Sequence, residues 1–142
     1  MAELRGVIPP ATTAFDPSGE IDLKAVSNQI DWLIRAGGHG VAVGGSTGEG
    51  HTLSNDEFPD LIAAAVDAAR RRVPIVAGII TDSTRDAIRR GRSVRDLDIA
   101  ALQVTPVHYL FRPDDEAMVE HFRALAGETG RKIIIYNVVP WT

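Results

Sequence analysis

The chain has 142 residues with 44% hydrophobic content, which is enough for one core, and no shift in composition divides it, so we expect a single domain over residues 1–142. Its 15 basic and 19 acidic residues give a net charge of −4, which argues against nucleic acid or a membrane as a partner and favours a small metabolite. The absence of cysteine excludes disulfides, thiolate metal sites and cysteine nucleophiles.

The first third of the chain predicts a strand, a helix and a second strand. Residues 6–11 have the apolar character of a strand, although the two prolines among them would each remove a ladder donor. Asp22 can cap a helix that runs to about Arg35, and the glycines that follow provide its stop. Residues 39–44 then predict the second strand.

The middle of the chain repeats this pattern. Ser54 and Glu57 have the spacing of a capping box, and they open a helix that ends at the basic residues 70–72. Residues 74–79 predict the third strand. A third helix begins at Ser83, and its many arginines lead us to expect an exposed element.

The last part adds one more unit. Residues 99–104 predict the fourth strand, and Asp114 caps a fourth helix that extends to about Ala126. Residues 132–137 predict the fifth strand. The inner face of the fourth helix is expected to consist of Ala117, Val119, Phe122 and Leu125.

The alternation of short apolar strands with helices is typical of an α/β fold with a parallel sheet. Five strands are fewer than the eight that a closed (β/α)₈ barrel needs, and such barrels usually take about 250 residues. The pattern therefore leaves two architectures open, an open doubly wound sheet or about half of a barrel. The apolar runs are too short to span a bilayer and the N-terminal residues do not resemble a signal peptide, so we expect a cytoplasmic protein.

A glycine-rich turn follows the second predicted strand and is the most informative segment. Residues 44–50 read GGSTGEG, so that Ser46 and Thr47 stand between glycines. Such a turn can direct several N–H groups and two hydroxyls at one anion, and a carboxylate or phosphate would fit. The spacing matches neither a Walker loop nor the GxGxxG motif of dinucleotide folds. An ordinary strand-to-helix turn is the alternative.

Polar aromatic residues follow the later strands. Tyr136 lies at the end of the fifth predicted strand, and His108, Tyr109 and Arg112 lie in a long loop after the fourth. The carboxyl ends of parallel strands form the rim where α/β proteins bind ligands, so these side chains are candidates for chemistry. Simple packing of aromatic residues is the alternative.

These segments resemble the dihydrodipicolinate synthase / N-acetylneuraminate lyase family, the pyruvate-dependent class I aldolases. The resemblance implies a TIM (β/α)₈ barrel, of which this chain would cover about the first five β/α units. It also implies a lyase that forms a Schiff base with pyruvate or a related 2-keto acid and joins it to, or releases it from, an aldehyde or keto-acid partner. The matching segments are residues 13–16, 44–49, 77–78, 105–106 and 136–138.

The resemblance also implies roles for individual residues. Thr47 would bind the pyruvate carboxylate, and Ser46 would relay protons to Tyr136, the general acid and base. Gly78 would let substrate approach the backbone, unless it serves only close strand packing. Many family members have a Tyr-Tyr pair after the Thr-Pro of the fourth strand; here His108 or Tyr109 would take the second relay role.

The family's nucleophile is a lysine on the sixth strand, and this chain ends before that strand. The chain has two lysines, of which Lys24 lies at the start of the first helix and Lys132 lies about 13 Å below Tyr136 at 3.3 Å per residue. We therefore expect the 142-residue chain alone to be inactive. The resemblance implies a homotetramer, and we expect no metal or other cofactor.

Two other functional classes compete with this interpretation. The first is a non-catalytic α/β module that binds a small anion at Ser46 and Thr47, which would explain the missing lysine. The second is a metal-dependent class II aldolase, which we disfavour because the chain's four histidines show no metal-ligand spacing.

Overall fold

The computed structural model of the chain describes residues 4–107 and 113–137. Strands and helices alternate through this part of the chain, as the sequence predicts. None of the helices within it is long and apolar enough to cross a membrane. The strands are Val41–Val43 (β1), Ile75–Ile79 (β2), Ala101–Val104 (β3) and Ile133–Ile135 (β4), and the helices are Leu23–Arg35 (α1), Glu57–Ala69 (α2), Thr84–Ser93 (α3) and Asp115–Thr129 (α4).

The four strands form one parallel sheet in the order β1-β2-β3-β4. Right-handed crossovers in an unbroken strand order place every helix on the same face of the sheet. Accordingly α1 packs on α2, α2 contacts α3, and α3 packs on α4. A doubly wound sheet would reverse its strand order and divide its helices between two faces. The architecture is therefore that of a partial barrel.

The first predicted strand is wrong as a regular strand. Residues 6–11 pair with β1 only through an isolated parallel bridge between Pro10 and Ala42. Two hydrogen bonds remain, from the Ala42 amide to the Pro9 carbonyl at 3.0 Å and from the Ala11 amide to the Ala42 carbonyl at 2.8 Å. The prolines have no N–H group to extend the ladder, so the segment lies parallel to β1 without becoming a strand.

The predicted helix starts are confirmed by their caps. The side chains of Asp22, Ser83 and Asp114 each accept a hydrogen bond from the amide three residues further along. Ser54 and Glu57 form the reciprocal capping box, with distances of 3.1 Å from the Glu57 amide to the Ser54 hydroxyl and 2.7 Å from the Ser54 amide to the Glu57 carboxylate. These bonds satisfy amides that a helix cannot pair internally.

The core forms where one face of the sheet meets the helices. Alternate strand residues share the buried cluster with α1, α2, α3 and α4, as the period of two requires. The intervening residues, among them Gly78 and Gln103, lie on the opposite face, which we call the interior face. The strand residues in the cluster are Val41, Val43, Ile75, Ala77, Ile79, Leu102 and Val104.

Half of the predicted inner face of α4 is wrong. Ala117 and Val119 are exposed, and 52% of the Val119 surface is accessible. The buried positions are His121, Leu125 and Thr129, each four residues after the last. Two of these are polar, and a search for apolar periodicity overlooks polar residues whose hydrogen bonds are made inside the fold.

The outer edge of β4 leads to a prediction about association. Among the described residues no strand pairs with that edge, and Ile135 is 57% exposed. Apolar edge strands promote pairing between chains, so we expect the 142-residue chain to self-associate, and Ile135→Lys to reduce the association. Size-exclusion chromatography with light scattering measures both. A monodisperse monomer of the unsubstituted chain would contradict the expectation.

His121 leads to a prediction about acid stability. Burial lowers the pKa of this imidazolium below its ordinary value of 6.5, and a backbone contact with Thr105 offsets part of that effect. Below about pH 6.5 the unfolded chain binds a proton that the folded chain binds less readily, so the free energy of unfolding should fall as the pH drops from 7 to 5.

Chemical denaturation between pH 7 and 5 measures this dependence. His121→Gln should flatten it, whereas the matched variant His51→Gln, at an exposed histidine, should retain it. Equal pH dependence in both variants would show that His121 is not the group responsible.

Candidate active site

The predicted glycine-rich turn leaves the end of β1 as a tight coil. Its amides at Gly48 and Gly50 both donate to the Gly45 carbonyl, at 3.1 and 3.0 Å. Gly50 packs so closely on Gly44 that a Cβ at position 50 would overlap the Gly44 carbonyl oxygen. The sequence of this turn therefore fixes a compact backbone, because a side chain at position 50 has no space.

Unsatisfied donors collect at the tip of this turn. The Ser46 hydroxyl oxygen is buried and has no hydrogen-bond partner in the described part of the chain. Within the same residues, the amides of Ser46 and Thr47 also have no acceptor, and Thr47 is exposed. A buried polar group without a partner costs about 1–3 kcal/mol, so such groups usually indicate a ligand or a functional role. The arrangement suits a carboxylate.

Hydrogen bonds from two other segments hold the turn. The Thr13 hydroxyl donates to the Gly48 carbonyl at 2.5 Å, and this contact is buried. The Arg90 guanidinium, from α3, donates to the carbonyls of Gly50 at 2.5 Å and Leu53 at 2.6 Å. Side chains from outside the turn thus bind the carbonyls of Gly48, Gly50 and Leu53, and they leave the amides of Ser46 and Thr47 free among the described residues.

Arg90 is a functional candidate that the sequence analysis missed. We expected the arginines of α3 to be exposed, but Arg90 is only 9% accessible and lies 5.4 Å from the centre of the Phe58 ring. Burial lowers the pKa of its guanidinium and the nearby Asp86 carboxylate raises it, yet an arginine stays charged. The sequence does contain one sign that Arg90 is buried. It lies on the same face of α3 as the small residues Ala87 and Gly91, which are also buried.

Gly78 lies in β2 beside the same turn. A Cβ built on it would lie 2.5 Å from both the Cα and the amide nitrogen of Gly45. Of the two roles considered for this glycine, the geometry supplies direct evidence for close backbone packing. Substrate approach at Gly78 stays a prediction.

Tyr136 follows β4 at the carboxyl end of the sheet. Its amide donates to the Val104 carbonyl at 2.8 Å, so the pairing continues one residue beyond the strand, and its side chain is half-buried. The alternation along β4 places Tyr136 on the interior face, in step with Gln103 and Gly78 on the neighbouring strands. No hydrogen bond joins Tyr136 to Ser46 in the described residues. Ser46 follows β1 and Tyr136 follows β4, and the strands β2 and β3 lie between them in the sheet.

The other predicted groups are His108, Tyr109 and the two lysines. His108 and Tyr109 lie outside the described residues. Lys24 is in the first turn of α1 and Lys132 precedes β4, and both are exposed. Neither lysine is at the carboxyl end of the sheet, where Ser46 stands.

An open cavity of about 630 Å³ adjoins the turn, and Ser46 and Arg90 contribute to its wall. The wall also carries His51, Asp82 and Asp86, so charges of both signs line it. Selectivity for an anion would therefore depend on the N–H groups of the turn. Residues 4–107 and 113–137 contain no group of three histidine, aspartate or glutamate side chains that could hold a metal ion.

The chain matches the model of a known protein family. The model of the dihydrodipicolinate synthetase family matches residues 3–142. The chain belongs to this family. Its resemblance to the family, predicted from the motifs, is confirmed, and so is the fold class, a partial (β/α)₈ barrel.

Curated relatives in this family include the 4-hydroxy-tetrahydrodipicolinate synthases of Chelativorans sp. and Bacillus subtilis. The first is 38% identical over 136 residues, which are 96% of this chain and 46% of that protein. The second is 36% identical over 127 residues, which are 89% of this chain and 43% of that protein. The chain thus spans about half the length of the curated relatives it matches.

Solved structures give the same picture. One is the chloride-inhibited dihydrodipicolinate synthase of Acinetobacter baumannii, solved in complex with pyruvate. It superposes on this chain with a TM-score of 0.92 at 31% identity, and the match covers 99% of this chain and 48% of the synthase. The sialic acid aldolase of Ruminococcus gnavus, a catalytic lysine mutant, has a TM-score of 0.88 at 23% identity, and covers 96% of this chain and 45% of that chain. This second likeness is one of fold.

Gly78 provides a prediction for this family member. Gly78→Ala should destabilise the fold by about 1–3 kcal/mol, because the added methyl group meets backbone atoms that cannot rotate away. Gly127→Ala in α4 is the matched control: a Cβ there meets nothing within 4 Å, and helix propensity should make it stabilising by about 0.5–1 kcal/mol. Denaturant titration compares them, and a neutral Gly78→Ala would refute the close packing.

Proposed function

We propose that this chain supplies the carboxylate-binding and acid–base groups of a class I lyase that acts on pyruvate or a related 2-keto acid. The observation that carries the proposal is the turn after β1, where the buried Ser46 hydroxyl and the amides of Ser46 and Thr47 lack partners among the described residues. The pyruvate complex of the Acinetobacter baumannii relative supports the choice of anion.

Each group then has a defined task. Thr47 and the neighbouring amides hold the carboxylate, which fixes the adjacent keto carbon relative to the sheet. Ser46 passes protons between the substrate and Tyr136, and His108 or Tyr109 provides the second relay group. Tyr136 acts as general acid when water leaves during Schiff-base formation and as general base when a proton is removed from the neighbouring carbon.

The reaction needs an amine that this chain does not place at the site. The amine nitrogen must attack the keto carbon, form the C–N bond and release the oxygen as water. Lys24 and Lys132 are exposed at positions away from the turn, so we propose that a lysine from a following strand performs this step. The 142-residue chain alone is then inactive, and the complete enzyme works in the cytoplasm as a homotetramer without a metal or another cofactor.

A second candidate is a non-catalytic module that binds a small anion. It is favoured by the positions of Lys24 and Lys132, neither of which lies at the turn. The hydroxyl and the amides of Ser46 and Thr47 could still bind an anion without a lysine. Borohydride reduction separates the candidates, since it converts a Schiff base into a stable adduct but leaves a bound anion unmodified.

Trapping with pyruvate and borohydride gives the first test. The full-length protein should gain the mass of reduced pyruvate on a lysine that follows β4, and the 142-residue chain should gain none. Peptide mapping identifies the modified residue. An adduct on Lys24 or Lys132 would overturn the assignment of the nucleophile.

Steady-state kinetics of the full-length protein test the roles of Ser46, Thr47 and Tyr136. Ser46→Ala and Tyr136→Phe should each lower kcat by about 10²-fold or more, the usual scale of acid–base catalysis. Thr47→Val should mainly raise KM, because hydrogen bonds to a charged group are worth about 1.5–3 kcal/mol. Ser27→Ala, which removes a hydroxyl that donates to the Leu23 carbonyl within α1 at 2.8 Å, is the control for Ser46→Ala.

A further inference from the structure

We propose that Arg90 is a positioning residue for pyruvate recognition, a role that rests on the function proposed above. Its guanidinium holds the carbonyls of Gly50 and Leu53 and thereby keeps the amides of Ser46 and Thr47 directed at the carboxylate. Arg90 belongs to α3, outside the turn, and does not itself need to touch the substrate. It acts through the backbone that it fixes.

Arg90 binds the end of the turn through two hydrogen bonds, an arrangement that we call the clamp. Two different nitrogens of one planar guanidinium reach two carbonyls three residues apart, both in buried contacts. Such a fork constrains orientation as well as distance. Phe58 lies 5.4 Å beneath the guanidinium and covers it from the side of α2.

The clamp reaches Ser46 and Thr47 through a continuous set of backbone hydrogen bonds. Gly50 donates to Gly45 at 3.0 Å, and Glu49 donates to Ser46 at 3.2 Å. The carbonyls that accept these two bonds belong to the peptide units on either side of Ser46, so Gly50 and Glu49 couple the clamp to the tip of the turn. Thr13 holds the Gly48 carbonyl, so in the described part of the chain Thr13 and Arg90 are the two side chains from distant segments that hydrogen-bond to the backbone of the turn.

Burying a cation to hold neutral carbonyls is costly, which indicates a specific purpose. Within the described residues no carboxylate forms a salt bridge with Arg90, and Asp86 acts on it only at longer range. Apolar residues would fill this space with less desolvation. The Arg90 guanidinium also lies in the wall of the cavity that Ser46 lines, together with acidic side chains, so its role there comes from the carbonyls that it holds and not from the net charge of the wall.

The test measures steady-state kinetics of Arg90→Met and Arg90→Lys in the full-length protein. Arg90→Met should raise KM for pyruvate by about tenfold with a smaller change in kcat, because hydrogen bonds from a charged group are lost at the binding turn. Arg90→Lys keeps the charge but not the fork, so its KM should lie between the wild-type and Arg90→Met values. A purely structural role would reduce the active fraction and leave KM unchanged.

Arg92→Met is the matched control, because Arg92 is on the same helix and forms an exposed ion pair with Glu128. It removes one charge from α3 and should leave KM unchanged. An equal rise in KM for Arg92→Met and Arg90→Met would overturn the proposal, since the effect would then come from general charge or from the helix.

Amide exchange without pyruvate provides a second measurement. The Gly48, Gly50 and Thr52 amides should exchange faster in Arg90→Met than in the wild type, while the β2 amides stay protected. Unchanged exchange at these three positions would contradict the clamp. If Arg90→Met does not fold, Arg90→Lys decides through the same two measurements.

The outcomes separate the two proposals. A wild-type protein that yields no borohydride-trapped pyruvate adduct would overturn the proposed function, and the role of Arg90 with it. A wild-type adduct together with unchanged KM in both Arg90 variants would overturn only the positioning role.

Discussion

Close packing between two backbones, at the ends of β1 and β2, is the constraint on which the rest of the site depends. Gly78 has no side chain, and Gly45 occupies the space where one would stand. Protein interiors leave no room for an added methyl group at such a contact without displacement. The contact between the Gly78 and Gly45 backbones therefore helps to position Ser46 and Thr47, although no side chain takes part in it.

That contact fixes only the start of the turn, and polar restraints fix the remainder. Thr13 holds one carbonyl from the N-terminal segment, and Arg90 holds two from α3. These segments lie about 35 to 40 residues away along the chain from the carbonyls that they hold. Two carbonyls of the turn, those of Gly48 and Gly50, are thus bound by distant side chains, and those of Gly45 and Ser46 accept hydrogen bonds within the turn.

Local features of the fold could be predicted from the sequence, and distant ones could not. The capping residues Asp22 and Asp114 were predictable because each cap acts on an amide three residues away. The burial of Arg90 and His121 was not, because their polar partners come from other elements of the chain. Apolar periodicity treats every arginine as exposed, whereas satisfied hydrogen bonds let a charged side chain replace an apolar one.

The same alternation of side chains relates the glycine-rich turn to the last strand of the sheet. Alternation along β2 directs the missing side chain of Gly78 to the interior face, so the Gly44 and Gly45 backbone lies over that face. Tyr136 lies on the interior face as well. A larger residue at position 78 would meet the Gly45 backbone at 2.5 Å and would have to displace the turn. The glycine in β2 thus lets the turn lie close against the sheet, although it contributes no side chain of its own.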